Sequence, residues 1–283
     1  MISIALVVRD GEETLPLALS SILQQTESDW ELLVFDDGST DATPRVLEEF
    51  AAREPRIRQF REPLSRGLAF RLNQLVGKAR GGLIARMDAD DIAYPQRLEV
   101  QAGFLAEHPS IDLVGSSVVV FKSDGSLWGK QEAPTTHERI AARPFGGFRL
   151  VHPTWMGRTE WFRRHPYHAP VLKGQDQELL YRGLPESTYA NVPDILHGKR
   201  EDRVSLRASV RTRWYLTRHL APTAMRRGRP DHALLCGAGH LFRAAEDAVA
   251  IATGAHHRML PHRARPVTAS EESEWRRVWA SVQ

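Results

Sequence analysis

Two apolar segments in the first hundred residues each lead directly into a cluster of acidic residues. Residues 31–35 precede the acidic turn 36–41, and residues 83–87 precede the acidic turn 88–91. Because the carboxyl ends of parallel strands meet at one sheet edge, we expect the two turns to lie close together. Clustered carboxylates are hard oxygen ligands for a divalent cation, which commonly accompanies a diphosphate. The pattern therefore predicts a parallel α/β sheet with a nucleotide-diphosphate site at its edge.

The length and composition are those of a globular protein. A chain of 283 residues can bury a full core, as one large domain or as a domain with an appendage. The single cysteine, Cys236, excludes an internal disulfide, and the twelve histidines show no zinc-binding spacing. Residues 1–8 lack the basic start of a signal peptide, and no segment reaches the roughly 20 apolar residues of a membrane span. We therefore expect a cytoplasmic protein.

Strand and helix patterns alternate over the first 121 residues. Strands are predicted over residues 2–8, 32–35, 57–60, 83–87 and 112–121. Amphipathic helices are predicted between them, over residues 12–25, 43–53, 67–78 and 96–107. This alternation is typical of a doubly wound α/β sheet. Glycine and proline residues predict loops after Phe121, and residues 205–283 are predicted to be mostly helical.

The order of these segments resembles glycosyltransferase family 2 over about the first 205 residues. The matching segments follow in register: residues 3–8, 15–26, 31–41, 85–92, 95–101, 152–154 and 175–182. The resemblance implies a GT-A fold, a Rossmann-like doubly wound mixed sheet, here with a helical, basic C-terminal extension. It also implies an inverting, metal-dependent enzyme that uses a nucleotide diphosphate sugar.

The end of the resemblance divides the chain into two parts. Residues 1–204 are predicted to form the GT-A domain, with a nucleotide-binding half, 1–121, and an acceptor or catalytic half, 122–204. Residues 205–283 would form the extension. Ten basic residues lie between Lys199 and Arg229, against two acidic ones. They form either a solvated helix face or an anion-binding surface. The partner of such a surface would be anionic lipid at the inner face of the membrane or a phosphate-bearing acceptor. No nucleic-acid motif accompanies them, so no nucleic acid partner is expected.

The resemblance implies that the turn after the second strand recognises the nucleotide base. Asp36 or Asp37 would accept a hydrogen bond from the imide of a uracil ring, and Asp37 is favoured; the alternative is a plain Asp-Gly turn. The backbone at Val8, together with Asp10 and Arg71, would contribute further nucleotide contacts. UDP is the expected nucleotide, but because Asp10 stands where the family often has asparagine, other bases remain open.

The acidic turn 88–91 is the predicted metal site. Asp88 and Asp90 are two residues apart, and in an extended segment this spacing points both carboxylates to the same side. The resemblance implies that Asp88 contacts the ribose and that Asp90 binds Mn²⁺ or Mg²⁺, with Asp91 as a substitute ligand. A solvated acidic turn without a metal is the alternative.

Asp176 is the candidate catalytic base. An inverting transfer needs a carboxylate that removes the proton of the acceptor hydroxyl, and the resemblance places it at Asp176, followed on a helix by Arg182. Gln175 replaces the glutamate that commonly precedes this aspartate, and Glu178 is a second candidate for the base. A helix cap without catalytic function is the alternative for Asp176.

Four residues are candidates for the diphosphate or the acceptor. His152 could donate to a phosphate or sugar oxygen, and Trp155 could stack on a sugar ring, although both residue types also occur as buried core residues. Lys199 and Arg200 could stabilise the leaving diphosphate.

The predicted reaction is transfer of a sugar from a UDP-sugar to a hydroxyl of a saccharide or lipid-linked acceptor. A sugar-phosphate nucleotidyltransferase is the alternative enzyme, although residues 9–13 supply little of the glycine-rich basic loop that it requires. A nucleotide-sugar binding module without catalysis is the alternative from another class, and only Gln175 favours it.

Overall fold

A nine-stranded mixed sheet forms the centre of the protein in a computed structural model, which describes residues 1–171, 173–202, 206–252 and 264–283. The strands are β1 (Ile2–Val8), β2 (Trp30–Asp36), β3 (Ile57–Arg61), β4 (Leu83–Asp88), β5 (Ile92–Ala93), β6 (Leu113–Phe121), β7 (Leu127–Gln131), β8 (Met156–Arg158) and β9 (Tyr189–Arg200). The predicted boundary between residues 204 and 205 lies outside the described residues, as does Arg203 of the basic segment.

The strand order brings the two acidic turns to one edge of the sheet. The order is β3-β2-β1-β4-β8-β6-β9-β5, with β7 paired to β6. Strands β3, β2, β1 and β4 are parallel, while β8 runs antiparallel between β4 and β6. Val7 is opposite Asp88, and Val8 is opposite Asp36. The predicted mixed GT-A sheet is confirmed, and its parallel half carries the acidic turns.

Ten helices are found among the described residues. They are α1 (Leu15–Leu23), α2 (Thr43–Arg53), α3 (Leu68–Lys78), α4 (Arg97–Glu107), α5 (His137–Ile140), α6 (Thr159–Arg164), α7 (Gln175–Gly183), α8 (Leu206–Arg226), α9 (Pro230–Ala252) and α10 (Ala269–Val282). The observed α2 coincides with the prediction, since Pro44 suits a first helical turn. The predicted helical C-terminal part is also confirmed.

Alternation along the strands divides the core into two layers. On β1, Ile4 and Leu6 pack in one layer and Ala5 packs in the other. On β4, Met87 joins the first layer and Ile84 the second. Arg86 and Asp88 alternate with Met87, so they share the face of Ile84.

Strand β9 is the largest element that the sequence analysis missed. Its twelve residues include Pro193, Gly198 and two terminal cations, which break any regular apolar pattern. The strand pairs in parallel with β6, with register shifts near Ser117, and antiparallel with β5. The latter pairing places His197 opposite Ala93, directly after the acidic turn that ends at Asp91.

The last helix, α10, packs against the first half of the chain. It begins with a capping box in which Thr268 and Glu271 satisfy each other's backbone amides. Trp275 is buried, with its ring 4.8 Å from that of Phe121, and its Nε1 donates to the carbonyl of Gly125 at 2.8 Å. The division of the chain near residue 204 therefore stays a prediction, with α10 in contact with the domain that precedes it.

Helices α8 and α9 form an antiparallel hairpin over α7. Leu220 and Ala224 of α8, together with Cys236 of α9, join the second core layer. Across the part of the chain that the structure describes, no helix is both long and apolar enough to span a membrane.

Candidate active site

The acidic turn after β4 forms a compact carboxylate cluster. Asp88, Asp90 and Asp91 each contribute an oxygen, and these atoms lie within 4.8 Å of one another. Asp91 is buried, and its carboxylate accepts hydrogen bonds from His197 Nε2 and the Arg200 amide, both at 2.8 Å. Asp91 therefore anchors the turn to β9, which leaves Asp88 and Asp90 at the open side.

His197, which the sequence analysis did not assign a function, is held as a neutral imidazole. Its Nδ1 lies 3.2 Å from Nη1 of the buried Arg97. Because a guanidinium only donates, Nδ1 must be the acceptor and Nε2 must carry the proton that is donated to Asp91. Burial, and next the charge of Arg97, lowers the pKa of His197 well below 6.5. His197 therefore stays neutral and keeps its Nε2 proton as the donor to Asp91 near neutral pH.

The Asp90 carboxylate is the open ligand of the cluster. It accepts no side-chain hydrogen bond from any described residue, while its carbonyl accepts from Arg200 Nε at 2.8 Å. Desolvation within the turn, then the charges of Asp91 and Asp88, raises the pKa of Asp90 to about 7. Since the side chain reaches solvent, crowding of like charges is the stronger physical cause. A set of crowded carboxylate oxygens fits Mn²⁺ or Mg²⁺, whose charge would relieve this repulsion.

Arg86 is a buried cation beneath the cluster. Its Nη2 donates to Asp88, while its Nε and Nη1 are buried without a hydrogen-bond partner. The sequence carries a signal for it, because a lone charge in an apolar strand, two residues before Asp88, must share its face. Arg86 therefore orients Asp88 and balances part of the negative charge of the cluster.

The structure corrects the preference for Asp37 as the base-binding residue. Its buried carboxylate already accepts four hydrogen bonds: from Ser65 Oγ at 2.7 Å, the Arg66 and Gly67 amides at 2.8 Å, and Arg71 Nε at 2.6 Å. Burial opposes ionisation, but these bonds outweigh it and lower the pKa of Asp37. A carboxylate with four donors has no acceptor site left for a uracil imide.

The predicted nucleotide contact of Arg71 is corrected for the same reason. It is fully buried, and its guanidinium donates to Asp37, Gln74 and the Leu64 carbonyl and pairs with Glu62 at 2.8 Å. With its donors used, Arg71 fastens the segment before α3 to the sheet rather than reaching for a nucleotide.

Asp36 keeps the potential to bind the base. One of its oxygens accepts from the Ser39 amide at 2.8 Å, and the other accepts no hydrogen bond and lies 3.2 Å from Arg61 Nε. The residue lines a recess of about 200 Å³, together with Pro44 and Phe60. A recess with an apolar wall and one acceptor suits a planar ring.

Val8 and Asp10 fix the end of β1 against the same turn. The Val8 carbonyl accepts from the Asp37 amide at 2.9 Å. Asp10, with a φ of 50°, donates its amide to Ser39 Oγ and accepts from the Thr40 amide at 2.8 Å. Asp10 therefore supports the turn through side-chain contacts, and a nucleotide contact for either residue stays a prediction.

Asp176 lies at the start of α7, on the wall of a cleft of about 920 Å³. Its Oδ2 accepts from Gln177 Nε2 at 2.8 Å, and Gln177 Oε1 in turn accepts from the Phe148 amide at 2.5 Å. This chain fixes the Gln177 amide and hence the carboxylate. Burial raises the pKa of Asp176 above 3.8, against the opposing effects of Gln177 and Arg86, as expected for a proton acceptor.

The neighbours of Asp176 have structural contacts. Glu178 is buried and pairs with Arg182, with an Nε to Oε1 distance of 3.2 Å, so it does not face the cleft as a second base. Gln175 is also buried, and its Oε1 has no hydrogen-bond partner.

The acceptor candidates separate into cleft and core residues. His152 and Lys199 line the cleft with Asp176; His152 Nε2 lies 2.8 Å from the Tyr167 hydroxyl, and Lys199 Nζ lies 3.2 Å from Glu201. Trp155 is fully buried, which corrects its proposed stacking on a sugar. Arg200 supports the acidic turn through the bonds described above.

A GT-A sheet with an acidic turn at its edge and a carboxylate in the adjoining cleft defines a glycosyltransferase that uses a nucleotide sugar. The model of the family described as glycosyl transferase family 2 matches residues 3–165. The chain belongs to this family.

Two relatives illustrate the sequence similarity. EpsE of Bacillus subtilis strain 168, named as a glycosyltransferase, is 33% identical over 207 residues, which cover 71% of this chain and 73% of EpsE. WfgD of Escherichia coli is 32% identical over 134 residues, covering 47% of this chain and 51% of WfgD. Its name describes a UDP-Glc:alpha-D-GlcNAc-diphosphoundecaprenol beta-1,3-glucosyltransferase.

Two solved structures share the fold. Residues 1–349 of S. aureus TarS in complex with UDP-GlcNAc match 98% of this chain and 79% of that chain, with a TM-score of 0.66 and 17% identity. The mannosyltransferase PcManGT of Pyrobaculum calidifontis, in complex with GDP-Man and Mn²⁺, matches 99% and 84%, with a TM-score of 0.63 and 18% identity.

Proposed function

We propose that the protein is an inverting glycosyltransferase that moves a sugar from a UDP-sugar to a hydroxyl of a saccharide or lipid-linked acceptor. The observation that carries the proposal is the path of β9. Arg200 of this strand bonds to the acidic turn, while the adjacent Lys199 lines the cleft that holds Asp176. A donor at the turn and an acceptor in the cleft would therefore meet beside one strand.

The residues divide the chemistry between them. Asp90 would hold Mn²⁺ or Mg²⁺, which when bound would neutralise the diphosphate leaving group, while Asp88 would contact the ribose. Asp176 accepts the proton of the acceptor hydroxyl while the oxygen of that hydroxyl forms a bond to the anomeric carbon. The bond between that carbon and the diphosphate oxygen breaks on the opposite face, so the configuration inverts. Lys199 supplies positive charge beside the departing diphosphate.

The choice of UDP is supported by one sequence relative, by one solved structure that shares the fold, and by the base recess. WfgD is named for UDP-Glc, and TarS is seen with UDP-GlcNAc, whereas PcManGT holds GDP-Man. The recess at Asp36 has about 200 Å³, and the Asp36 oxygen that has no hydrogen-bond partner matches the imide donor of uracil.

Calorimetric titration with UDP, GDP, dTDP and CDP tests the donor site. We expect UDP to bind in the presence of Mn²⁺, and affinity to fall at least tenfold in EDTA because the acidic turn would then repel the diphosphate. A preference for GDP would overturn the assignment of the base. No binding of any of the four nucleotides with Mn²⁺ would overturn the donor site itself.

We also propose that the hairpin of α8 and α9 attaches the protein to an anionic membrane. Exposed apolar side chains follow α9 on one side: Leu234, Leu235, Leu241 and Phe242. Leu241 and Phe242 follow Leu234 and Leu235 by seven residues, a spacing that returns to the same side of a helix. The opposite side, with Cys236 and His240, is buried. An apolar helix side that no element of the described residues covers is typical of an interaction surface.

The charge on α8 selects lipid as the partner of this hairpin. The exposed side of α8 alternates cations with large apolar residues: Arg211, Trp214, Arg218, Met225 and Arg226. The Arg218 guanidinium lies 5.1 Å from the Trp214 ring centroid. Tryptophan with arginine is typical of helices at a lipid headgroup interface, and the cations favour anionic lipid. The surface would bring the cleft to lipid-linked acceptors at the cytoplasmic face.

Vesicle flotation of the full chain tests this attachment. We expect binding to phosphatidylglycerol vesicles, weaker binding to phosphatidylcholine vesicles, and at least a tenfold loss for the double variant Leu241→Glu, Phe242→Glu, because burying carboxylates in lipid is unfavourable. Leu64→Glu, at a residue that is 72% exposed in another part of the protein, is the matched control. A different result would show that a second copy covers α9: the wild type does not bind vesicles but sediments as a dimer, and the double variant sediments as a monomer.

A further inference from the structure

The cleft beside Asp176 is lined by arginines from separate parts of the chain. Three arginines line both the 920 Å³ cleft and an adjoining recess of about 710 Å³: Arg139 of α5, Arg243 of α9, and Arg149. Arg143 lines the recess. We call these four residues the cleft arginines. Asp176 and Gln177 lie where the two cavities meet, since both residues line each of them.

No ion pair among the described residues balances the charge of the cleft arginines. The other cations of the cleft have carboxylate partners: Glu132 pairs with Lys130 at 3.2 Å and with Arg265, and Glu201 pairs with Lys199. By contrast, none of the cleft arginines forms an ion pair with a carboxylate in the described ranges. Arg149 donates only to the Glu132 carbonyl, at 3.2 Å. Four like charges gathered from different segments repel one another unless an anion lies between them.

We propose that the cleft arginines bind phosphate groups of the acceptor, so that the acceptor is a phosphate- or diphosphate-linked saccharide. The inference rests on the proposed function, since it takes Asp176 as the base. Guanidinium groups form paired, charge-assisted hydrogen bonds with phosphate oxygens. An acceptor held by its phosphate at the arginines would have its sugar hydroxyl beside Asp176.

The arginines belong to the acceptor rather than to the donor because of the elements that carry them. The donor diphosphate is assigned to the turn after β4, which bonds to β9. The cleft arginines come from α5, from residues 141–151 and from α9, and none of these segments contacts the acidic turn through a hydrogen bond of the described residues. The two cavities that they line with Asp176 share no lining residue with the nucleotide recess at Asp36.

The test uses inorganic diphosphate as the probe, with EDTA present throughout. Without metal the acidic turn repels diphosphate, so binding reports the cleft. We expect Arg139→Gln and Arg243→Gln each to weaken diphosphate binding roughly tenfold, because each removes a charge-assisted contact. Arg164→Gln on α6, also an exposed arginine, is the matched control and should bind as the wild type does. UDP binding with Mn²⁺ should stay unchanged in every variant.

The outcomes separate this inference from the proposed function. Diphosphate affinity that is equal in the wild type, Arg139→Gln and Arg243→Gln would overturn the inference, even if UDP still binds with Mn²⁺. Loss of UDP binding in the same variants would also overturn it, by assigning the cleft arginines to the donor. Farnesyl diphosphate serves as the second probe: tighter binding than inorganic diphosphate indicates a lipid carrier, and equal binding indicates a soluble sugar phosphate.

Discussion

Asp176→Asn should lower kcat for sugar transfer about a thousandfold while leaving UDP binding with Mn²⁺ unchanged. The substitution keeps the shape of the side chain and removes its ability to accept the proton of the acceptor hydroxyl, and a general base contributes roughly 10²- to 10⁴-fold to a rate. Steady-state kinetics with the acceptor found by screening would measure the effect. The donor site lies on other elements, at the turn after β4, so nucleotide affinity should not change.

The pH dependence gives a second measure of the same substitution. Burial raises the pKa of Asp176 above 3.8, and the base acts only when it is ionised. In the wild type, kcat/KM should therefore fall as the pH drops through this raised pKa, and the residual activity of Asp176→Asn should lack that acid limb. A carboxyl whose pKa is raised on folding destabilises the folded state at neutral pH, where it is ionised. The Tm of Asp176→Asn should accordingly equal or exceed that of the wild type.

Glu178→Gln is the matched control for Asp176, two residues away on the same helix. Glu178 is buried against Arg182, so its neutralisation should lower Tm, since it leaves a cation without its partner. Its kcat should remain within a few-fold of the wild type under conditions where the variant is folded. The opposite pattern, with kcat retained in Asp176→Asn and lost in Glu178→Gln, would assign the base to Glu178. If both variants retain sugar transfer, neither carboxylate is the catalytic base.

The parallel half of the fold follows from the sequence because its signals are local. Strands β1, β2 and β4 are mainly apolar and largely buried, and helix α2 has Pro44 in its first turn. Strand β9 could not be predicted in the same way. Its pairing with β6 is long-range, it contains Pro193 and Gly198, and its exposed and buried residues do not alternate strictly. The cleft depends on this strand and on α9, so the shape of the cleft was beyond sequence reasoning.

In the candidate site, sequence reasoning found the acidic residues but not their separate functions. Asp36 and Asp37 are neighbours with the same side chain, yet only Asp37 is saturated by four donors, three from the segment before α3 and one from Arg71 of α3. Those donors come from about thirty residues further along the chain, so no local pattern indicates them. Arg71 was misassigned for the same reason. Arg86 and His197 were missed because their significance lies in which aspartate each contacts.

Asp90→Ala should abolish metal-dependent nucleotide binding and reduce transfer at least a thousandfold. Asp90 has the open carboxylate of the cluster, so its removal takes away the ligand with no competing protein contact, and a divalent ion bound largely by carboxylates depends strongly on their number. Calorimetry with UDP and Mn²⁺ should give an affinity no higher than that of the wild type in EDTA. Asp194→Ala, at an exposed aspartate on β9, is the control and should bind as the wild type does.

Stability without metal distinguishes a metal ligand from a structural residue in this cluster. Desolvation of the turn, together with the charges of Asp91 and Asp88, raises the pKa of Asp90 to about 7. The charge of Asp90 at neutral pH therefore opposes folding. In EDTA, Asp90→Ala should melt at or above the wild-type Tm. Asp91→Asn should melt lower, because an amide nitrogen would face the His197 Nε2 proton, and a buried unsatisfied donor costs roughly 1–3 kcal/mol. Mn²⁺ should raise the Tm of the wild type but not that of Asp90→Ala. If Mn²⁺ leaves the wild-type Tm unchanged with UDP present, the three carboxylates form a solvated turn and do not bind a metal ion.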